Sequence, residues 1–167
     1  DIGRTIARAA RGLGMRVSGV TQSGKKASEV ERVYRARDIK TALAAADFVV
    51  LTVPLTAATR HLVGAPELAV MKPSAWLVNI ARGPIVDESA LLEALSAKRL
   101  GGAVLDVFNE EPLPGGHPFW ALDNVVIPPH TSGPSPPGEI APIFNDNLRR
   151  YLSRRPLRFQ VDRKRGY

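Results

Sequence analysis

The spacing of apolar residues alternates between two patterns along the chain. The first residues show the three- and four-residue spacing of a helix, with a stripe of small residues that begins at Gly3 and a terminating glycine at Gly14. A helix with such a stripe can bring its backbone close to a strand. Short continuous apolar runs follow at 48–51, 75–78 and 103–107, and helical segments separate them. Such runs are typical of strands that are covered by helices on both faces.

This alternation predicts an α/β fold with a doubly wound, mostly parallel sheet of the Rossmann type. Asp38 and Asp87 are expected to cap two helices, because a side-chain oxygen at the first position accepts a free backbone N–H. The predicted strands span 15–20, 30–34, 47–53, 75–80, 101–108 and 124–128, and the helices after the opening one span 38–46, 65–71, 88–100 and 138–152.

Four ionisable residues stand at or just after the ends of predicted strands: Arg82, Asp106, Glu111 and His130. Ligands of doubly wound folds bind at this edge of the sheet. A guanidinium group binds a carboxylate through two parallel hydrogen bonds, and an imidazole exchanges a proton near neutral pH. Taken singly, each of these residues is more often structural or solvated. Together, a cation, a carboxylate and an imidazole on one rim are what the reduction of a 2-keto acid needs.

Composition narrows the classes of function. The 167 residues contain no cysteine, which excludes disulfides, thiol nucleophiles and cysteine-ligated metals, and no metal site is predicted. No apolar run is long enough to cross a bilayer, and the composition suits a cytoplasmic protein. The whole net charge of +7 lies in residues 149–167. This segment either contacts phosphate or acidic partners or is a solvated helix end, and we expect neither nucleic acid nor a membrane as partner.

Two blocks of sequence resemble the nucleotide-binding half of the D-2-hydroxyacid dehydrogenases, a family that includes glyoxylate and hydroxypyruvate reductases. They are "VNIARGPIVDESALLEALSAKRLGGAVLDVFNEEPLP" and "NVVIPPHTSG", and the likeness extends to "FVVLTVPLT" and "MKPSAWLVNIARG". In that family a strand and a Gly-x-Gly turn precede this point. The resemblance therefore implies a Rossmann-like sheet that lacks its first strand, and a chain that lacks the separate substrate domain.

The resemblance also implies a division of the chain. Residues 1–133 would form a partial nucleotide-binding domain, and residues 134–167 a hinge, a C-terminal helix and a basic tail that pack on the absent domain. Because the missing strand would lie in the middle of the sheet, we expect residues 1–167 alone to be inactive. Family members commonly dimerise through this half, so a homodimer is expected.

Three residues match the catalytic positions of the family. Arg82 of "NIARG" would bind the substrate carboxylate and polarise the ketone. His130 of "PPH" would be the general acid in reduction and the base in oxidation, and Glu111 of "NEEP" would hold and tune it. The implied reaction transfers a hydride between NAD(P)H and a small 2-keto acid. His61 and His117 have no matching role and are expected to be surface residues.

The resemblance assigns further residues to the part of the cofactor that NAD and NADP share. The backbone amides of Asp1 and Ile2 would bind pyrophosphate at the helix N-terminus, and Gly3 would allow close packing of helix and strand. Asp106 would contact the nicotinamide carboxamide. Three further residues would shape the cofactor cleft: Thr52, Pro54 and Ile80.

One departure from the family pattern bears on cofactor choice. NAD-specific folds place Asp or Glu about 20 residues past the glycine motif, where it binds the ribose 2′-hydroxyl. Here Thr21 stands at that place, and no carboxylate occurs before Glu29. Thr21, Ser23, Lys25 and Lys26 are able to receive a 2′-phosphate instead. NADP is therefore the expected cofactor, with NAD as the alternative.

Two other functions stay open. Some relatives of this family are transcriptional corepressors that use the fold to recognise partners, so a dinucleotide-sensing module without catalysis is one alternative. A truncated remnant with neither cofactor binding nor activity is the other.

Overall fold

The computed structural model describes residues 2–133 and 136–163. Helices and strands alternate in the predicted order, and most strands are shorter than predicted. The elements are α1 (Ile2–Gly12), β1 (Ser18–Thr21), β2 (Arg32–Arg35), α2 (Ile39–Ala45), β3 (Phe48–Leu51), α3 (Ala65–Leu68), β4 (Trp76–Asn79), α4 (Glu88–Ser96), β5 (Gly102–Leu105), β6 (Val125–Val126) and α5 (Pro137–Leu152).

All strand pairs are parallel, as the alternation of strands and helices predicts. Strands β3, β4, β5 and β6 form one sheet in that order, and β1 pairs with β2 in a second ladder. Among the described residues, no strand forms hydrogen bonds with both β1 and β3, so the two ladders are separate. The fold is the α/β, Rossmann-like class that the sequence predicts.

The main core lies against the four-stranded sheet. Leu77 of β4 and Leu91 and Leu95 of α4 are almost fully buried, together with Ile85 and Phe119 from the loops. The Asp87 side chain accepts a hydrogen bond from the backbone N–H of Ala90, so the predicted cap of α4 is confirmed. The cap predicted at Asp38 is wrong in detail. Asp38 precedes α2 but closes a short 3₁₀ turn, and its side chain makes no capping hydrogen bond.

The opening helix packs through its small residues rather than its large ones. Ala7 is buried, whereas Ile2 and Leu13 are 56% and 82% exposed. The helix ends at Gly12, and Gly14 caps it as predicted: Gly14 adopts φ +81°, and the N–H groups of Gly14 and Met15 bond back to carbonyls of the last turn. The stripe of small residues therefore fixes the packed face of α1.

Helix α5 and the segment after it pack on each other. None of the residues of α5 is buried, and Phe144 and Tyr151 are 65% and 70% exposed. The Asn147 side chain exchanges two hydrogen bonds with the backbone of Arg158, which folds the basic segment back along the helix. Within the described part of the chain, no helix combines the length and hydrophobicity needed to cross a membrane.

Candidate active site

The carboxyl ends of three neighbouring strands are level with one another. The parallel register pairs Leu51 with Asn79 and Asn79 with Leu105. The residues that follow this row, Thr52, Ile80 and Asp106, therefore lie side by side at one edge of the sheet. All three are predicted site residues, and Asp106 is tied to β4 by the hydrogen bond from its N–H to the carbonyl of Asn79.

Asn79 shapes the turn that carries Arg82, a role that the sequence analysis missed. It is 1% exposed, its amide nitrogen donates to the carbonyl of Arg82 (3.1 Å), and its amide oxygen accepts from the N–H of Ala81 (3.1 Å). Arg82 is itself exposed and donates one N–H to the carbonyl of Ala81. Because a guanidinium has five N–H groups, the other four can bind a substrate.

Replacing Asn79 with alanine is expected to lower both stability and activity. The buried N–H of Ala81 loses its acceptor and the carbonyl of Arg82 keeps only the N–H of Ile85, which costs about 1–3 kcal/mol in the free energy of unfolding, measured by urea denaturation. A displaced Arg82 should also lower the rate by about 10-fold or more. Asn124→Ala is the matched control, because Asn124 is buried, makes one side-chain bond to the carbonyl of Leu95 and precedes β6 at the opposite edge. An equal loss of activity in both variants would contradict this role.

Glu111 and His130 form a carboxylate–imidazole pair. One oxygen of Glu111 accepts the N–H of Phe108 (2.9 Å), and the other lies 3.0 Å from Nδ1 of His130. If Nδ1 carries the proton toward Glu111, then Nε2 is free for a second partner, and about half of the His130 side chain is exposed. The predicted contact between these two residues is therefore present.

Arg82 is placed near this pair because the next residue, Gly83, packs against the backbone of Phe108. A Cβ placed on Gly83 would lie 2.0 Å from the carbonyl carbon of Phe108, so the two backbones touch and only glycine fits. Phe108 in turn donates to Glu111. The structure thus joins Glu111 and His130 directly and brings Arg82 beside their loop, with no hydrogen bond or ion pair between Arg82 and the pair among the described residues.

Asp106 anchors the loop that carries His130. It is 2% exposed, and its two carboxylate oxygens accept the N–H groups of Thr131 and Ser132, both at 2.9 Å. His130 itself adopts φ +53°, a left-handed conformation that is uncommon for residues other than glycine. Burial by itself raises the pKa of Asp106, but the hydrogen bonds from Ser132 and Thr131 and the nearby His130 outweigh it and hold the pKa below its usual range.

Asp106→Asn is expected to make stability less dependent on pH in the acid range. Because the folded-state pKa lies below the unfolded value of about 3.9, the carboxylate stabilises the fold above about pH 4 and loses that effect as the pH falls through the folded pKa. The variant should lose about 1.5–3 kcal/mol at pH 7, since one N–H loses its charged acceptor. The urea midpoints of the wild-type protein and the variant should approach each other as the pH falls from 7 to 3. A constant difference between the two midpoints would contradict the account.

His117 is largely but not fully buried, whereas the sequence-based expectation was a surface residue. Its side chain is 19% exposed, Nδ1 accepts the N–H of Phe119, and Nε2 lies 3.5 Å from Glu88. The other oxygen of Glu88 accepts the N–H of Asn109 (3.1 Å). The pair therefore braces the 109–119 loop on which Glu111 lies. His61 is exposed, as expected.

Part of the site predicted for the shared portion of the cofactor lies where α1 meets the end of β3. A Cβ placed on Gly3 would lie 2.9 Å from Oγ1 of Thr52, so the first turn of α1 packs closely on the end of β3 as predicted. Ile2 is exposed at the helix start, and the Pro54 carbonyl accepts the hydroxyl of Thr59. Asp1 lies outside the described residues.

The loop after β1 is polar and compact. Oγ1 of Thr21 accepts the N–H of Gly24, and Oγ of Ser23 accepts the N–H of Lys25. Thr21, Ser23 and Lys25 are all exposed. Glu29 is 12% exposed in its side chain and pairs with arginines of α1, at 3.5 Å from Arg8. It is therefore engaged and does not stand in for the acid that binds a ribose 2′-hydroxyl.

These features fit a dinucleotide. A glycine pressed on a strand end opens a helix whose free N–H groups attract phosphate, and the sheet edge beside it carries buried Asp106 and exposed Arg82. Among the described residues, no group of three or more His, Asp or Glu side chains is placed to hold a metal ion. Such an arrangement can hold a nucleotide beside a group that binds carboxylates and a group that exchanges a proton.

Comparison with known proteins places the chain in a family. The sequence-family model described as "D-isomer specific 2-hydroxyacid dehydrogenase, NAD binding domain" matches residues 1–132. The chain belongs to the D-isomer specific 2-hydroxyacid dehydrogenase family.

Individual relatives agree with this assignment. The chain is 46% identical over 129 residues to a glyoxylate reductase of Thermococcus gammatolerans and 46% identical over 131 residues to glyoxylate/hydroxypyruvate reductase B of Pectobacterium carotovorum. These matches cover 77% of this chain, but only 38% and 41% of the relatives. The chain thus spans about two fifths of the length of the curated relatives it matches.

Solved structures show the same fold. A 2-hydroxyacid dehydrogenase of Xanthobacter autotrophicus in complex with NADPH is 40% identical, with a TM-score of 0.88 over 92% of this chain and 64% of that one. An NADPH-dependent glyoxylate/hydroxypyruvate reductase of Sinorhizobium meliloti in complex with NADP is 32% identical, with a TM-score of 0.92 over 99% of this chain and 54% of that one.

Proposed function

We propose that the protein carrying this chain reduces a small 2-keto acid, of the glyoxylate or hydroxypyruvate type, with NADPH. The observation that carries this proposal is the hydrogen-bonded pair of Glu111 and His130 on the rim that also presents Arg82. The curated relatives are named glyoxylate reductase and glyoxylate/hydroxypyruvate reductase, which supports the substrate class.

In this proposal Arg82 binds the substrate through its carboxylate. Two parallel N–H bonds from the guanidinium fix the plane of the keto acid, and the positive charge polarises the neighbouring carbonyl. Asn79 keeps the turn that carries Arg82 in place. The reacting carbonyl is thereby oriented before any proton moves.

His130 then supplies the proton. Glu111 accepts a hydrogen bond from Nδ1–H, so Nε2 faces the substrate and, when it carries a proton, transfers that proton to the carbonyl oxygen as it becomes a hydroxyl. When bound, the dihydronicotinamide supplies the hydride to the carbonyl carbon. In the oxidation direction Nε2 accepts the proton from the hydroxyl instead.

The cofactor would lie along the carboxyl edge of the sheet. Pyrophosphate would rest on the N–H groups at the start of α1, with Ile2 among the donors, and Gly3 would allow the close packing on Thr52. Pro54 and Ile80 would line the cleft. Asp106 would contact the carboxamide while it holds the loop of His130.

We also propose a homodimer in the cytoplasm, with residues 1–133 holding the cofactor. Residues 134–167 would join this part to a substrate domain. The exposed apolar side chains of α5 support an interface on that helix.

The test follows NADPH absorbance in the protein that carries this chain. Addition of glyoxylate or hydroxypyruvate should oxidise NADPH with multiple turnovers. Binding of NADPH in a fluorescence titration without any oxidation would support a sensing module instead. Absence of binding would point to a remnant without function.

A further inference from the structure

A cation from β2 lies across the loop that follows β1. Thr21 and Arg35 are register partners at the carboxyl ends of the two parallel strands. A Cβ placed on Gly24 would lie 2.6 Å from Cγ and 3.2 Å from Nε of Arg35. The stem of Arg35 therefore covers Gly24 directly, and its guanidinium group lies over the 21–25 loop.

The loop conformation requires this glycine. Gly24 adopts φ +68°, which L side chains rarely tolerate, and its N–H is held by Oγ1 of Thr21. A larger residue would both strain this turn and push Arg35 away. The sequence thus keeps the space that lets Arg35 lie against the loop that carries Thr21 and Ser23.

The positive charge of this edge is uncompensated. Among the described residues, Arg35, Lys25 and Lys26 form no ion pair. The nearby acids are engaged elsewhere or lie far away: Glu29 pairs with α1, Asp38 pairs with Arg37, and Glu31 stands before the other end of β2, about 13 Å along the strand. A cluster of exposed cations and hydroxyls without an acid favours a dianionic ligand.

We propose that Arg35 is a specificity-determining residue that binds the phosphomonoester on the adenosine ribose of NADP(H). The inference rests on the proposed function and adds a residue from a second strand, which the spacing of the glycine motif does not indicate. The guanidinium would bind two phosphate oxygens, while Ser23 and Lys25 would contact the same group from the loop. With a ribose hydroxyl in place of the phosphate, the guanidinium would lose its charged partner.

The test measures binding without catalysis. Isothermal titration calorimetry of the protein that carries this chain should compare adenosine 2′,5′-bisphosphate with adenosine 5′-monophosphate. Arg35→Gln keeps the aliphatic stem over Gly24 and should weaken the bisphosphate about 10- to 100-fold, with less than about a 2-fold change for the monophosphate. Arg37→Gln is the control, because Arg37 is an exposed arginine two residues away that pairs with Asp38.

Arg35→Lys provides a second variant, because it keeps the charge and most of the stem but not the planar fork. It should weaken bisphosphate binding by a smaller factor than Arg35→Gln. Equal losses for both ligands in Arg35→Gln, or an equal loss in Arg37→Gln, would overturn the inference.

The inference and the proposed function fail in different ways. Wild-type protein that binds the bisphosphate and monophosphate equally well would overturn the role of Arg35 and leave keto-acid reduction with NADH standing. Wild-type protein that prefers the bisphosphate through Arg35 but never oxidises NADPH would support the inference and overturn the proposed enzymatic function.

Discussion

Replacement of His130 by alanine should lower kcat for keto-acid reduction by about 10²- to 10⁴-fold, the usual contribution of a positioned acid–base group. Its Nδ1 atom is held by Glu111 at 3.0 Å, and its backbone is held in a left-handed conformation by the neighbouring bonds to Asp106. In this account the imidazole does not contribute to binding of the cofactor, so the dissociation constant for NADPH should change by less than about 2-fold. Stopped-flow reduction of glyoxylate and a fluorescence titration with NADPH measure the two effects.

His61→Ala is the matched control for this experiment. His61 is also an exposed histidine, and its φ of +51° nearly equals that of His130, so any general effect of alanine in a left-handed conformation appears in both variants. The His61 variant should keep full activity. An active His130→Ala enzyme, or parallel losses in both variants, would remove His130 from the reaction.

Replacement of Arg82 by glutamine should cost about 10²- to 10³-fold in kcat/KM for glyoxylate, comparable with the loss of a transition-state donor. The expected cause is specific: the guanidinium holds the carboxylate of the substrate and polarises its carbonyl. Glycolaldehyde carries a hydroxymethyl group in place of that carboxylate. The wild-type enzyme should therefore prefer glyoxylate strongly, and the variant should lose most of this preference.

An exposed arginine elsewhere provides the control for charge. Arg60→Gln removes one cation from the loop after β3 and should leave both substrates unaffected. If Arg82→Gln reduced the rates of glyoxylate and glycolaldehyde by the same factor, Arg82 would serve the fold or the polarisation of the carbonyl, but not recognition of the carboxylate.

The order of elements was predictable because periodicity along a sequence reports which faces are covered. Buried runs such as 75–78 and 103–107 became neighbouring strands β4 and β5, and their shared carboxyl edge put Asp106 on the predicted rim. The contact of Glu111 with His130 followed from the family resemblance rather than from the pattern. Nothing in the spacing of two residues 19 positions apart indicates a distance of 3.0 Å.

Other features depend on contacts that a single sequence does not encode locally. Asn79 looks like one more strand residue, and its role appears only when its amide is seen to bind both Ala81 and Arg82. His117 was assigned to the surface because it matches no role in the family, and its partner, Glu88, lies on another element that the sequence does not connect to it. Arg35 was overlooked because it lies on β2, whereas the glycine that its side chain covers, Gly24, lies in the loop after β1.

The central claim is that Arg82, Glu111 and His130 meet around one substrate beside the nicotinamide. A crystal structure of the protein that carries this chain, with NADP and oxamate as a non-reducible keto-acid analogue, tests it most directly. The account predicts two hydrogen bonds from the guanidinium of Arg82 to the carboxylate of the analogue, and Nε2 of His130 within about 3.2 Å of its carbonyl oxygen. An analogue bound beside the nicotinamide with neither contact would contradict it.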